Sequence, residues 1–331
     1  MSRFVGFGTA LPDHELTPTA SLAALSQIWP HLRTAGVEAV TRYTVQAVDQ
    51  VFAPKSLGER MRVYRAEAPR LGRLAVEGAL AEAALRPDQI DVVFSVSCTG
   101  YMVPAFDVLL ANQLGFRSDV IRIPLTELGC SGGGAALAAA HRHLRLEPSH
   151  RVLVVCVELC SLTFQPRDTS VDNMTAAMVF GDGAAAAILT GETGGLEVVA
   201  TGTRLIPNTD QLLGFDLRDD GFHPVLDRRL PRLIQHELAG ALAGFGEGHL
   251  DFLAVHAGGP RIFDAVENGL GLSPGSLVES RAAFSRYGNL SSASLLFVLA
   301  GLQGGSSGMG LGLAFGPGVT VEMATLRRSP E

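Results

Sequence analysis

"LTELGCSGGGAAL", residues 125–137, places one cysteine, Cys130, between a polar lead-in and a run of glycine and alanine. The residues that follow, "SGGGAALAAAHRHLRL" (131–146), read as a helix that starts just after a turn. A helix N-terminus offers free backbone N–H groups and a partial positive charge, and both favour a thiolate. The glycines let other backbone or a substrate come close. Read alone, the stretch fits either a reactive cysteine or a small residue buried in a tight turn. A second stretch bears on that choice. "GNLSSASLL" (288–296) matches "GCSGGGAAL" (129–137) position by position, with Asn289 opposite Cys130.

That match belongs to a series in the same order. "PRLGRLAVEGALAEAALRPDQIDVVFSVS" (69–97) runs beside "PRLIQHELAGALAGFGEGHLDFLAVH" (231–256). "PAFDVLLANQLGF" (104–116) pairs with "PRIFDAVENGLGL" (260–272), "FGDG" (180–183) with "FGPG" (315–318), and "VGFGTALP" (5–12) with "VATGTRLIP" (199–207). Shared order across weak matches points to duplication of one α/β unit, with halves 1–192 and 193–331. Within the halves, "IDVVFSVS" (90–97), "RVLVVCVEL" (151–159), "GAAAAILTG" (183–191) and "LDFLAVHA" (250–257) are continuous apolar runs. Such runs suit strands buried on both faces. Residues 68–85 and 230–245 carry the 3.6-residue periodicity of amphipathic helices.

If two like halves pack about a pseudo-twofold axis, equivalent loops converge. Cys130 and Asn289 then meet. His256, at the end of the apolar strand 250–257 and before the loop "AGGP", joins them, because sites in α/β sheets form at strand ends. Read separately, His256 is also compatible with a core histidine, and Asn289 with a simple helix cap. Together, His and Asn can donate hydrogen bonds to a developing oxyanion. His31, His141, His143, His150 and His249 lie in polar or helical surroundings and read as surface residues.

Composition narrows the class. The chain has 331 residues, 47% of them apolar and 18% charged, enough for one large or two average domains. The net charge of −7 argues against general nucleic-acid binding. No leader peptide and no apolar run of membrane-spanning length is visible, so a cytoplasmic protein is expected. Cys98, Cys130, Cys156 and Cys160 form no CxxC pair, which argues against zinc and against a disulfide framework. Of the 26 basic residues 25 are arginine; Lys55 is the single lysine.

At this point the chain resembles the type III polyketide synthases, the chalcone synthase-like branch of the thiolase superfamily. The resemblance covers nearly the whole chain. "GCSGGGAAL", "RVLVVCVELCSLTF", "VFGDGAAAAIL", "VHAGGPRIFDAVE", "SRYGNLSSASLLFVL" and "AFGPGVTVEMATLR" carry it. It implies a thiolase-like, five-layered αβαβα fold and a homodimer. It also implies catalysis by Cys130, His256 and Asn289. Cys130 would take an acyl group from a CoA starter, with His256 holding the thiolate as an ion pair. Malonyl-CoA would then lose CO2, its enolate stabilised by His256 and Asn289, and condense with the acyl-cysteine. Cyclisation would give a small polyphenol or pyrone. No metal and no cofactor are implied; the CoA thioesters are substrates.

Other positions carry over from the family's pattern. Phe180 matches a gating phenylalanine, a reading preferred here to that of an ordinary core aromatic. Cys98 and Thr163 match cavity-lining positions, and Lys55 a contact to the CoA phosphates. Val48 and Val51 stand where plant members have basic residues, so Arg60 and Arg62 are expected to help with CoA. Pro224 replaces a second gating aromatic. Phe215 stands where plant members have a small residue, and it should narrow the cavity. Two alternatives are weighed beside this reading. One is a single-condensation ketosynthase of the ketoacyl synthase III type using carrier-protein substrates. The other is a catalytically silent ketosynthase partner.

Overall fold

The computed structural model describes residues 1–30, 38–192, 195–245, 248–304 and 306–329. His31 lies outside the described residues. The first half opens with β1 (Ser2–Ala10), β2 (His14–Leu16), α1 (Pro18–Ile28), β3 (Arg42–Thr44) and α2 (Val48–Val51), then α3 (Leu57–Glu82). α3 starts well before the periodic stretch 68–85, because a cap sets its start. Ser56 Oγ accepts the Glu59 N–H, and the Glu59 carboxylate accepts the Ser56 N–H. β4 (Val92–Val96), α4 (Phe106–Leu114), β5 (Ile121–Leu125), α5 (Gly132–Leu146), β6 (Arg151–Leu159), α6 (Val171–Val179) and β7 (Asp182–Thr190) follow.

The second half comprises β8 (Leu196–Leu205), β9 (Leu213–Arg218), β10 (Gly221–Leu226), α7 (Leu230–Ala241), β11 (Phe252–Val255), α8 (Pro260–Gly269), α9 (Val278–Tyr287), α10 (Ser294–Gly301), β12 (Gly308–Gly316) and β13 (Thr320–Arg328). The four apolar runs read from the sequence are β4, β6, β7 and β11.

Nine strands form one continuous sheet in the order β11-β12-β13-β8-β1-β7-β6-β4-β5. The order repeats about its middle. β1-β7-β6-β4 and β8-β13-β12-β11 run antiparallel, antiparallel, parallel in both halves. A short antiparallel pairing, Ser2 with Val198 and Arg3 with Glu197, joins the two.

Side-chain alternation builds the layers, since neighbours along a strand point to opposite faces. In β6, Leu153 and Val155 face α3 and α4, while Val152 and Val154 face a central layer made of α5 and α10. In β11, Phe252 and Ala254 face that same central layer, and Leu253 and Val255 face α7 and α8. The layers are therefore helix, sheet, helix, sheet, helix. α5 touches β4 and β6 on one side and β12 and β13 on the other. Its N-terminus is thus fixed at the centre of the molecule.

Candidate active site

A 3-10 turn, Gly129–Ser131, leads into α5 and carries Cys130. Gly129 has φ 54°, a conformation that disfavours side chains, and a Cβ there would lie 2.5 Å from Pro317 Cδ. The "FGPG" loop thus packs directly on the cysteine turn. The equivalent turn, Ser291–Ala293, leads into α10. The two turns touch across the centre. Cys130 Sγ lies 3.5 Å from Ser291 Oγ.

Asn289 is locked by backbone and side chain. Its N–H donates to Val179 O (2.8 Å) and its carbonyl accepts from Gly181 N (3.0 Å), so it is tied to Phe180 like a short strand. Its Oδ1 accepts the Ser291 N–H at 2.9 Å. With the carbonyl end of the amide engaged, the NH2 end is left as a donor toward the cavity.

His256 follows β11, its N–H donating to Leu313 O at 2.8 Å. Nδ1 is buried and has no hydrogen-bond partner among the described residues. The ring lines the cavity, so Nε2 is the nitrogen on the open side. An imidazolium needs acceptors for both nitrogens. The protein supplies none at Nδ1, and burial pushes the His256 pKa down to about 4. Burial likewise pushes the Cys130 thiol up to about 12, against the lowering effect of Ser291 and the turn's own backbone. Burial therefore disfavours the charged form of each group. Position at the helix start is as expected; the desolvation that opposes it does not show in a sequence.

A buried carboxylate ties the Ser291–Ala293 turn to the loop after β4. Glu158, in β6, accepts the Ser292 hydroxyl at 2.5 Å, the Thr99 hydroxyl at 2.7 Å and the Cys98 N–H at 3.1 Å. Burial raises its pKa. Nothing in the sequence singled it out beyond an acid inside an apolar run.

One cavity of about 1190 Å3 brings together Cys130, His256, Asn289 and Phe180. Phe180 caps the end of α6 at the cavity wall. The remaining positions expected around substrate lie elsewhere. Cys98 Sγ is 3.3 Å from Ser291 Oγ, the same oxygen that Cys130 meets, and burial beside Glu158 raises its pKa. Thr163 is buried and donates to Cys160 O at 2.8 Å. Phe215 and Pro224 are cross-strand partners in the β9–β10 hairpin, where Phe215 packs edge-on against Phe222. The hairpin reaches the cavity through Leu213 and Leu226 instead, two residues that carry no signal in the sequence.

The expected CoA contacts are also displaced from this cavity. Lys55 and Arg60 edge a separate depression of about 290 Å3. Lys55 donates to Gln50 O, and Arg62 is exposed on α3. Arg60 faces inward, with Nη1 donating to Leu162 O (2.6 Å), Nη2 to Gln165 Oε1 (3.1 Å) and Nε to Asp220 O (3.2 Å). That geometry gives Arg60 a framework role, a correction to the expectation that it serves CoA. One of the histidines expected at the surface is drawn inward, and two others pair with each other. His141 is buried, Nδ1 2.9 Å from Ser2 Oγ. His143 pairs with His150, Nε2 to Nδ1 2.9 Å. No group of three or more possible metal ligands occurs among the described residues.

Comparison with known proteins gives a consistent picture. The model of the chalcone and stilbene synthases, N-terminal domain, matches residues 45–193, and that of the C-terminal domain matches residues 197–330. A 1,3,6,8-tetrahydroxynaphthalene synthase of Streptomyces coelicolor is 39% identical over 295 residues, covering 86% of this chain and 79% of that protein. A phloroglucinol synthase of Pseudomonas fluorescens is 31% identical over 304 residues, covering 88% and 86%. The crystal structure of the Streptomyces coelicolor tetrahydroxynaphthalene synthase, a bacterial type III polyketide synthase, superposes with a TM-score of 0.93 at 33% identity. It covers 99% of this chain and all of that one.

Proposed function

The chain belongs to the chalcone and stilbene synthase family and is a type III polyketide synthase, and on that premise we propose that Cys130, His256 and Asn289 carry its chemistry. Cys130 Sγ attacks the carbonyl carbon of an acyl-CoA thioester as Nε2 of neutral His256 takes the thiol proton. The tetrahedral intermediate expels CoA as a thiolate, which takes a proton from solvent, and the proton taken from Cys130 stays on His256 Nε2. This route avoids a standing pair of buried charges, which is costly. Malonyl-CoA then loses CO2. The electron pair of the broken C–C bond becomes an enolate, whose oxygen receives hydrogen bonds from Asn289 Nδ2 and His256 Nε2–H. The enolate carbon attacks the acyl-cysteine carbonyl and expels the Cys130 thiolate, which takes its proton back from His256 Nε2. Each cycle expels one CO2, and one CoA leaves when the extended chain reloads onto Cys130.

The observation that carries this reading is the orientation of Asn289. Its Oδ1 is held by Ser291, so a donor faces the cavity that Cys130 and His256 share. Donors fixed in place before the reaction supply most of the stabilisation of such an oxyanion. The product we propose is a small polyphenol built from malonyl units, as the names of the Streptomyces and Pseudomonas relatives suggest.

A homodimer is also proposed. β5 is an edge strand, and beside it Tyr101 and Val103 are 63% and 74% exposed and Ile121 is 45% exposed. Uncovered apolar groups next to an unpaired strand edge favour a second copy. Light scattering should give twice 34.8 kDa; the single-chain mass would remove the proposal.

The decisive experiment uses labelled malonyl-CoA with an acyl-CoA panel and mass spectrometry of the products. We expect condensation products and CO2 from the parent, and no condensation from Cys130→Ala. A Cys130→Ala variant that condenses like the parent would overturn the reading. Condensation only from carrier-protein thioesters would favour the single-condensation ketosynthase.

A further inference from the structure

The cavity that begins at Cys130 ends among arginines. Arg228, Arg229 and Arg261 line it and all three are exposed or half-exposed, whereas His256 and Asn289 are buried. Arg228 and Arg229 close the loop between β10 and α7; Arg261 is the second residue of α8. α7 and α8 both begin on this mouth, and neither has a side-chain cap. The positive ends of two helices thus add to three guanidinium charges.

The acidic groups on the same lining are Glu38, Asp172 and Asp227, of which Glu38 is exposed. Asp227 is gripped by Arg229, through Nη2–Oδ2 at 2.8 Å and Nε–Oδ1 at 2.9 Å. Asp172 accepts the Leu226 N–H at 2.8 Å. Arg281, also on the wall, is held by Asp264 and Glu267 at 2.7 and 2.8 Å and is not available. Arg228 makes no ion pair with a described residue.

We infer that Arg228 and Arg229, with Arg261, hold the phosphate groups of the CoA thioester at the mouth of this cavity. The inference rests on the reading of the chain as a CoA-dependent synthase, and it assigns the task to the second half of the chain rather than to Lys55, Arg60 or Arg62. The reach agrees. Arg261 is five residues from His256 in sequence, so their backbones are at most about 17 Å apart. That bound lies within the reach of an extended pantetheine arm on a thioester at Cys130. Arginine binds phosphate through two parallel N–H donors. The pair of Arg229 with Asp227 is solvent-exposed and weak, so it yields to a phosphate.

Steady-state kinetics with malonyl-CoA and with malonyl-pantetheine, which lacks the phosphates, test this. For the Arg228→Ala/Arg229→Ala double variant, KM for malonyl-CoA should rise about tenfold, as expected for lost charge-assisted hydrogen bonds. kcat should stay within about twofold, and KM for malonyl-pantetheine should move less than about twofold, because neither side chain reaches the reacting atoms. Parent KM for malonyl-CoA should climb with KCl, and the slope should flatten in the variant. An equal KM shift for both substrates, or none for malonyl-CoA, overturns the inference. Arg228→Ala alone, which removes a side chain with no ion pair to a described residue, gives the same selectivity on a smaller scale if the double variant is unstable. A parent that never turns over malonyl-CoA would instead overturn the functional reading beneath it.

Discussion

The cysteine turn and the asparagine turn occupy equivalent places in the two halves, yet they are built from opposite materials. The first leads into Gly132-Gly133-Gly134 at the start of α5; the equivalent positions of the second are Ser291-Ser292-Ala293. Gly133 and Ser292 are equivalent positions, and they meet: a Cβ on Gly133 would lie 2.3 Å from Ser292 O. Where a pseudo-twofold axis brings equivalent residues together, only one can keep its side chain. The bare turn lets the other close in. The serine turn uses its hydroxyls to fix itself, through Ser292 to Glu158 (2.5 Å) and Ser294 to the Leu290 N–H (2.8 Å). One half therefore supplies a reactive group on a yielding surface, and the other a rigid donor.

If that division holds, the largest effect comes from the rigid side. Asn289→Ala removes a donor that two backbone bonds and Ser291 hold in place. Loss of one preorganised oxyanion donor typically costs about 100- to 1000-fold in rate. Malonyl-CoA decarboxylation, measured as released CO2, should fall by that factor. Alkylation of Cys130 by iodoacetamide should change little. Equal loss in both assays would mean that Asn289 only shapes the cysteine turn.

The cysteine side should show itself in pH dependence. Burial pushes the Cys130 thiol up to about 12, so little thiolate is expected in the free enzyme at neutral pH. The alkylation rate should rise about tenfold per pH unit between roughly 7 and 9, as the thiolate fraction does. A flat rate over that range would show a standing ion pair with His256. The signs for stability follow the same shifts. The raised thiol holds its stabilisation below the unfolded value of 9.0 and loses it as pH climbs toward 12. The lowered imidazole holds its stabilisation above 6.5 and loses it as pH falls toward 4.

Much of this was legible in the chain. Ordered matches between halves disclosed the duplication, and the sheet bears the same order twice. Apolar runs marked β4, β6, β7 and β11 because continuous burial leaves a compositional trace. Cys130, His256 and Asn289 were legible because each sits in a motif with a partner, and the fold brings all three to one cavity. The arginine mouth was not, since Arg228 and Arg261 look like ordinary surface residues until two helix starts are seen to share an opening. Phe215 and Pro224 misled for a related reason. Phe215 and Pro224 share a face of the hairpin with Leu213 and Leu226 but lie two residues nearer its turn, and position along the hairpin puts only the leucines at the cavity. Burial of Arg60 depended on partners more than a hundred residues away.

The smallest predicted effect probes the axis itself. Gly133→Ala adds one methyl group where backbone already fills the space, 2.3 Å from Ser292 O and 3.6 Å from Cys156 Sγ. Neither turn can move cheaply, since Ser292 is anchored to Glu158. Overpacking of this kind costs about 1–3 kcal/mol. Gly240→Ala, in α7 with open space around it, should be neutral or stabilising by up to about 1 kcal/mol, because alanine restricts the unfolded chain. Urea midpoints of the two variants measured together separate contact from propensity. If Gly133→Ala proves as stable as Gly240→Ala, the halves do not meet as tightly as the comparison of the turns requires. If it is destabilised, Ser292→Gly in the same chain should recover little. The clash is with the Ser292 carbonyl, not its side chain, and removing the hydroxyl also releases Glu158.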